Sequence, residues 1–328
     1  MLGYTVRRLL AGIPVLIAAS ALVYFLVAIA GNPLEPLLLR SPPAPPATIA
    51  LVSERLNLDV PVWQRYLEWL WGVVSRGDFG PSVQENYDIG ANLRDRGIVT
   101  LRLVSVAMLL ALIFAVINGV ISAVKQYSPF DYSVTFTGFL FLAMPSFWLA
   151  LVLKHLAVEY NIGTGNTTFF TIGEASPDTS GFSTWEKFTD IAGHMVLPTT
   201  ALALISYAAW SRFQRAAMLE VLNSDYVRLA RAKGLRWGRV LTRHALRTAL
   251  IPLTTVTALD VAAVLGGAVV TETVFNWNGL GRMFIRGIQL QDTNAVAAWL
   301  LLAGFVVVAF NIIADLLYAV LDPRIRYE

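Results

Sequence analysis

Four polar residues stand inside long apolar stretches of this 328-residue sequence: Asp260, Glu272, Asn311 and Asp315. Asp260 precedes Glu272 by about three helical turns on roughly the same helical face, and Asn311 and Asp315 share a face because they are four residues apart. Such groups are costly at membrane depth, so their default interpretation is a place on a polar pathway. The alternative is that they join neighbouring helices by hydrogen bonds. We take these four residues as candidate channel or gate residues.

The sequence offers little for catalysis or metal binding. It contains no cysteine, and its histidines, His155, His194 and His244, are scattered. It has no Gly-x-x-x-x-Gly-Lys-Ser/Thr phosphate loop of the kind that binds nucleotides. We therefore predict a non-catalytic chain with no catalytic residues, no metal site and no cofactor of its own.

The most informative stretch is a basic segment, residues 219–250, which connects two of the apolar stretches. Antiparallel helices usually need only about 2–8 connecting residues, so a connection this long is expected to have its own role. Asp225 is predicted to cap a short helix that starts at Tyr226, and Gly234 to end it in the left-handed conformation. A second amphipathic helix is predicted over residues 237–250. The residues expected to carry the role of this segment are Asp225, Tyr226, Arg228, Leu229, Ala230, Arg231, Ala232, Lys233, Gly234 and Leu235.

A basic surface helix can also rest on anionic lipid head groups, which attract Lys and Arg. That alternative accounts for the arginines of the basic segment. It does not account for its length, for the predicted cap at Asp225 or for the glycine at Gly234. We therefore interpret the segment as a compact pair of short helices that a partner can approach closely.

The composition indicates a membrane setting for these elements. Hydrophobic residues make up 56% of the chain and charged residues 14%, against about 45–50% and about 25% in soluble proteins. A membrane helix needs about 20 mainly apolar residues. Six stretches meet this requirement: residues 9–30, 98–124, 133–158, 195–218, 251–275 and 295–321. The third is predicted to be broken by Pro145 and the fourth to begin near Pro198, which membrane helices permit when neighbours satisfy the freed carbonyls. The sequence thus predicts an all-α, multi-pass membrane protein with six transmembrane helices.

Lys and Arg indicate the sidedness, because cytoplasmic connections are rich in them. They occur before the first span, after the second, after the fourth and after the sixth: Arg7, Arg8, Lys125, the basic segment, Arg324 and Arg326. Both termini are therefore predicted to be cytoplasmic. The predicted organisation is a first span in residues 1–30, an extracytoplasmic insertion in 31–97 and a five-helix core in 98–328.

The insertion begins with the Pro-rich residues 41–46, which favour an extended, polyproline-like chain. Residues 62–71 then combine helical spacing with an aromatic face. Aromatic side chains of this kind are typical of the membrane–water interface, and a stacking surface for a ligand is the alternative. A second outside loop is predicted over residues 159–190.

Residues 227–252, VRLARAKGLRWGRVLTRHALRTALIP, resemble the cytoplasmic signature loop of ABC-importer permeases in its peptide-importer form. By position, Arg228, Leu229 and Ala230 take the Glu-Ala-Ala slot of that motif, and Gly234 takes its glycine. Arg228 replaces the generic Glu, and Arg247 stands where the generic motif has proline. Both departures are features of the peptide branch.

Three further motifs are similar to the same branch and occur in the same order. They are RLNLDVPVWQRYLEWLWGVVSRGDFGPS at 55–82, GGAVVTETVFNWNGLGR at 266–282 and DLLYAVLDPRIRY at 315–327. Asn278 stands where the family often has proline. The resemblance covers nearly the whole chain and looks most like the B-type permease of oligopeptide and dipeptide importers.

This resemblance implies a type I ABC-importer permease fold in the bacterial inner membrane. In that family the small helix before the glycine sits in a groove on the ATPase and transmits its closure to the channel. The implied partners are a second, different permease, two ABC ATPase domains that bind ATP and Mg, an extracytoplasmic binding protein, membrane lipid and a short-peptide substrate. The net charge of +3 gives no reason to expect a nucleic-acid partner.

Three alternatives remain open at this point. Permeases of the same family import nickel, haem or glutathione. An ion-coupled secondary transporter would need no ATPase, but such proteins often contain inverted repeats, and no clear repeat relates the halves of this chain. An intramembrane enzyme would need paired catalytic groups at membrane depth, and none is evident in the sequence.

Overall fold

The computed structural model describes residues 2–39, 41–42, 44–84 and 86–321, which are mainly helical. The helices are α1 (Leu2–Ala30), α2 (Glu35–Leu38), α3 (Pro46–Arg55), α4 (Val62–Arg76), α5 (Ile89–Val124), α6 (Pro129–Ala143), α7 (Ser146–Thr164), α8 (Thr184–Leu222), α9 (Asp225–Ala232), α10 (Trp237–Arg239), α11 (Leu246–Val274), α12 (Leu280–Gln289) and α13 (Thr293–Leu321). A π-helical stretch, Val240–Ala245, joins α10 to α11. The predicted all-α architecture is confirmed. Arg324, Arg326 and the end of the C-terminal motif lie outside the described residues.

Five helical segments of the described chain are long and apolar enough to cross a membrane. They contain α1, α5, α8, the continuous α10–α11 stretch and α13. Helices α6 and α7 pass the same test together but are bent by 107° at the break between them. The break that the sequence predicts at Pro145, within the stretch 133–158, is therefore confirmed. The residue before a proline avoids the helical region, and Met144, before Pro145, has an extended backbone with ψ 128°.

The bent pair nevertheless follows α8 from one end to the other. Near the start of α6, Asp131 accepts a hydrogen bond from Arg215 Nε, near the end of α8, at 2.7 Å. Further along the chain, Ala150 and Ala157 of α7 pack with Leu197 in the first half of α8. Both helices of the pair therefore pack along α8, and the described chain contains five candidate membrane spans, or six if the bent pair forms one span.

Helix α8 begins well before the predicted fourth span and continues past Pro198. Ser183 accepts a hydrogen bond from the backbone of Glu186, and the Glu186 side chain accepts one from the backbone of Ser183. This reciprocal capping box satisfies N–H groups that a helix start leaves unpaired. The predicted outside loop 159–190 is therefore too long at both ends, because α7 ends at Thr164 and α8 starts at Thr184.

The chain forms two compact units. Within the described residues, the core unit consists of residues 102–277 and 309–321, and the second unit consists of residues 2–101 and 278–308. In the core unit, α8 packs against α6, α7 and α11. Helix α8 is therefore the central element of the core unit.

In the second unit, α4 packs on α1 through its aromatic face. Tyr66 Oη donates to the Ile17 carbonyl at 3.0 Å, and the Tyr24 ring lies 5.7 Å from that of Trp69. The buried aromatics of this face therefore contact α1, and their interfacial position stays a prediction. The Pro-rich stretch is also shorter than predicted, because α3 begins at Pro46.

Candidate functional site

The short helix α9 of the basic segment starts one residue earlier than the sequence suggests. Its N-cap is Ser224, and Asp225 is the first helical residue. The predicted cap by Asp225 is therefore wrong. Its carboxylate lies 3.6 Å from the Arg228 guanidinium in an exposed i,i+3 pair. A negative charge in the first turn still favours the helix, because it faces the positive end of the helix dipole.

The end of α9 is formed by Gly234, as predicted. Gly234 has φ +76° and donates its N–H to the Arg231 carbonyl at 2.9 Å, while Leu235 N–H donates to the Ala230 carbonyl at 3.4 Å. These two hydrogen bonds make a Schellman motif, which pairs carbonyls that the last turn leaves free. Residues with a Cβ strongly disfavour this left-handed backbone, so a glycine defines where the helix stops.

One side of α9 is buried in a cluster of small apolar residues. Val227 and Ala230 are buried there against Ala123 at the end of α5 and Met218 near the end of α8. The cluster also contains Ala217, Val240, Ala245 and Ala249. This packing ties α9 to the ends of three membrane helices. It also puts Lys125 and the basic segment at the same end of the core unit.

The opposite side of α9 is open. Tyr226 and Leu229 are 44% and 56% exposed, and Trp237 just beyond the glycine is 41% exposed. Arg231 stacks over the Trp237 ring with its Cζ 5.1 Å from the centroid. The exposed residues around them are strongly basic: Arg228, Lys233, Arg236 and Arg239. The result is an apolar and aromatic patch within a cationic surface.

The second short helix predicted over residues 237–250 is not a separate element. The helical chain continues from Trp237 through the π-helical stretch into α11, as one apolar helical segment that ends at Val274. Val240 and Ala245 in this stretch are fully buried. The segment that packs on α9 therefore runs directly into the membrane helix α11.

The structure separates the candidate channel residues. Asp260, on α11, accepts a hydrogen bond from Trp210 Nε1 of α8 at 2.7 Å and lines a cavity of about 370 Å³. Glu272 is completely buried near the end of α11 and does not line that cavity. Asn311 and Asp315 are partly buried on α13. Of these four candidates, Asp260 is therefore the one that borders this cavity.

Two other polar clusters were not recognised in the sequence. In the core unit, Arg215 donates two hydrogen bonds to Asp131, both at 2.7 Å. In the second unit, buried Asp292 accepts from Ser82 Oγ at 2.5 Å and caps α13 through the backbone N–H of Ala295 at 3.1 Å. Burial raises the pKa of Asp292, although these hydrogen bonds act against the rise. The cap could have been predicted from the sequence, because an Asp stands three residues before Ala295. The pairing of Asp131 with Arg215 and that of Asp292 with Ser82 could not, because these partners lie 84 and 210 residues apart in the chain.

Among the described residues no group of three His, Asp or Glu side chains could hold a metal ion. Within that part of the chain, His194 has a structural position. Its Nδ1 lies 2.9 Å from the Asp190 carbonyl oxygen, and its ring stacks on Phe170 with centroids 4.1 Å apart. These contacts pack the loop before α8 against its first turns.

Comparison with known proteins places this architecture in a family. A family model described as "Binding-protein-dependent transport system inner membrane component" matches residues 115–327. A second model, for the N-terminal part of such membrane components, matches residues 1–99. The chain also resembles a solved structure of the inward-facing MetNI methionine ABC transporter, with a TM-score of 0.55 and 15% identity over 70% of this chain and 96% of that one. That likeness shows the fold.

Curated relatives align along their full length. The chain is 41% identical to the oligopeptide transport system permease protein OppB of Mycobacterium tuberculosis, over 99% of both chains. It is 36% identical to the permease AppB of Bacillus subtilis and to the dipeptide permease DppB of Escherichia coli, over 100% of each chain. The chain therefore belongs to the binding-protein-dependent transport system inner membrane components, in the branch of the OppB, AppB and DppB permeases of ABC transporters, and is a multi-pass protein of the bacterial inner membrane.

Proposed function

We propose that this chain is a channel-forming subunit of an ATP-driven importer for short peptides. It works with a second, homologous permease, two ABC ATPase domains and an extracytoplasmic binding protein. ATP and Mg bind to the ATPase partners, and this chain binds no cofactor. Its termini and the basic segment face the cytoplasm, which agrees with the concentration of arginine in that segment.

The observation that carries this proposal is the two-sided environment of α9. Its buried side is packed among the ends of α5, α8 and α11, and its other side exposes Tyr226 and Leu229. An amphipathic helix that leaves such a face open is suited to a groove on a partner. Closely packed helices move as rigid bodies, so a push on α9 is transmitted to the membrane helices.

Short peptides are proposed as the substrate because the aligned relatives are named as oligopeptide and dipeptide permeases. These relatives match over essentially the whole chain, including the insertion after α1. Permeases for nickel, haem or glutathione are the competing assignment. Competition for uptake of a labelled tripeptide into vesicles distinguishes them, because only a peptide permease is inhibited by unrelated tripeptides.

The coupling role is tested by co-purification from gently solubilised membranes. Leu229→Glu places a charge on the exposed face of α9 and leaves the buried cluster untouched. We expect the wild-type chain to recover an ABC ATPase and a second permease, and the variant to lose the ATPase while retaining the second permease. Leu51→Glu is the matched control, since Leu51 is 66% exposed and lies on α3, in the insertion.

Recovery of the wild-type chain alone would refute the importer assignment and return attention to an ion-coupled transporter. Full ATPase recovery by the Leu229→Glu variant would refute the assignment of α9 as the ATPase contact. The same assay applies to Gly234→Pro. Proline cannot adopt φ +76° or donate the N–H that closes the helix, so we expect this variant to lose the ATPase as well.

A further inference from the structure

We propose that the cavity beside Asp260 is a transit site that binds the free amino terminus of the peptide during its passage through the membrane. This inference rests on the proposed function, since it assumes that peptides cross here. It assigns to this chain a substrate contact of its own. The ligand class is a short peptide with an unmodified, positively charged amine.

The cavity lies where helix α6 breaks from α7. Its lining includes Leu142 and Ser146 on either side of the break, Ser206 on α8, and Asp260 and Gly266 on α11. Its volume is about 370 Å³, which falls within the range of about 300–1,000 Å³ typical of small-molecule sites. A helix break frees backbone groups, which membrane proteins tolerate where the break lines a polar cavity or is buried in protein. The break therefore brings free backbone groups to the edge of this cavity.

Asp260 supplies the charge of this site. It lies nine residues into the span predicted from residue 251, at a depth of about 14 Å along the helix axis. Its one hydrogen bond within the described part of the chain comes from Trp210, whereas an ionised carboxylate has about four acceptor positions. The described side chains around the cavity include no Lys, Arg or His. A cationic ligand would supply the missing counter-charge.

Two hydroxyl groups complete the polar lining. Ser206 is only 8% exposed, and within the described chain its hydroxyl makes no hydrogen bond, although it borders the cavity. Ser146 is the first residue of α7, where the backbone N–H groups also have no partner inside the helix. Both residues can bond to the amide groups of a peptide. Leu142 and Ala263 provide apolar walls for small side chains.

Gly266 offers a way to fill this space without disturbing the fold. Gly266 borders the cavity, and a Cβ added there meets no atom within 4 Å. A purely structural role for Asp260, as a hydrogen-bond partner of Trp210, predicts no sensitivity to the ligand's charge. If Asp260 binds the amino terminus of the peptide, acetylation of that amine should weaken binding. If Asp260 only accepts the hydrogen bond from Trp210, acetylation should leave binding unchanged.

The test uses the purified complex of this chain with its partner permease and ATPases in lipid nanodiscs, without binding protein. Equilibrium dialysis measures the binding of labelled trialanine and N-acetyltrialanine. Because charge-assisted hydrogen bonds are the stronger class, we expect trialanine to bind at least about tenfold more tightly. Asp260→Asn keeps the acceptor for Trp210 but removes the charge, and should reduce this ratio to within about twofold.

Two further variants separate charge from structure. Trp210→Phe removes the donor but keeps the carboxylate, so the preference for the free amine should remain. Gly266→Leu should abolish binding of both peptides, whereas Gly266→Ala should retain it. The inference is overturned if the wild-type complex does not bind trialanine, or if Asp260→Asn keeps the tenfold preference.

ATP hydrolysis stimulated by the peptide-loaded binding protein is measured on the same wild-type preparation. Stimulation without trialanine binding would reject the transit site and leave the importer assignment standing. If neither is observed, the importer assignment itself fails. Recovery of the partner subunits with each variant shows that it has folded.

Discussion

Replacing Asp131 by asparagine should weaken the junction between α6 and α8. The Asp131 carboxylate accepts two hydrogen bonds from Arg215 at 2.7 Å and one from the backbone N–H of Tyr127 at 3.0 Å. Its side chain is 4% exposed, whereas that of Arg215 is 26% exposed. The asparagine side chain would retain an acceptor for Tyr127. It would turn an amide donor towards the guanidinium and remove the charge.

The expected loss lies between two limits. Breaking a fully buried ion pair costs about 3–5 kcal/mol, and an exposed pair is worth about 0.2–1 kcal/mol. Arg215 keeps partial access to its surroundings, so its charge is less penalised when it loses its partner. We therefore expect Asp131→Asn to lower the free energy of unfolding by about 2–3 kcal/mol.

The assay is reversible unfolding of the purified chain in mixed micelles, followed by tryptophan fluorescence. Arg215→Met and the double variant complete a double-mutant cycle, which isolates the interaction between the two side chains. Arg215→Lys should recover only part of the stability, because an ammonium cannot make the two-pronged contact. A loss below about 0.5 kcal/mol in Asp131→Asn, or additive single variants, would refute the reasoning.

Three further outcomes follow from local geometry. Gly234→Ala should lower the free energy of unfolding by about 1–2 kcal/mol, because a residue with a Cβ is strained at φ +76° even where the Cβ meets no atom. The control is Gly163→Ala on α7, where the added Cβ also meets no atom. This control should not lower the free energy of unfolding in the same assay. Tyr66→Phe should lower the free energy of unfolding by about 1 kcal/mol, because it removes the hydrogen bond from Tyr66 to α1. An unchanged unfolding midpoint would show that this hydrogen bond does not stabilise the packing of α4 on α1. Burial raises the pKa of Asp292 in the folded chain above that of an unfolded aspartate. As pH rises from about 4, the unfolded chain therefore loses the Asp292 proton before the folded chain does, and the free energy of unfolding falls. Asp292→Asn should remove this fall. If the free energy of unfolding changed equally with pH in the wild type and the variant, the assigned role of Asp292 would be disproved.

Backbone chemistry made parts of the fold readable from the sequence. The end of α9 at Gly234 was predictable because the left-handed conformation depends on the residue itself. The break at Pro145 was likewise visible, because proline lacks an N–H and restricts the residue before it. The six predicted membrane stretches and the family motifs followed from patterns within short windows. The start of α8 was also present in the sequence, in the Ser183–Glu186 capping box, but was not recognised.

The sequence by itself therefore determined the membrane setting, the helices and the position of the basic segment. Only the tertiary structure decided that the bent α6–α7 pair follows α8, that Asp131 meets Arg215, and that Asp260 lines a cavity that Glu272 does not reach. The reason is physical. Backbone preferences act within a few residues, whereas the surroundings of a polar side chain depend on helices that lie 50 to 84 residues away in the chain.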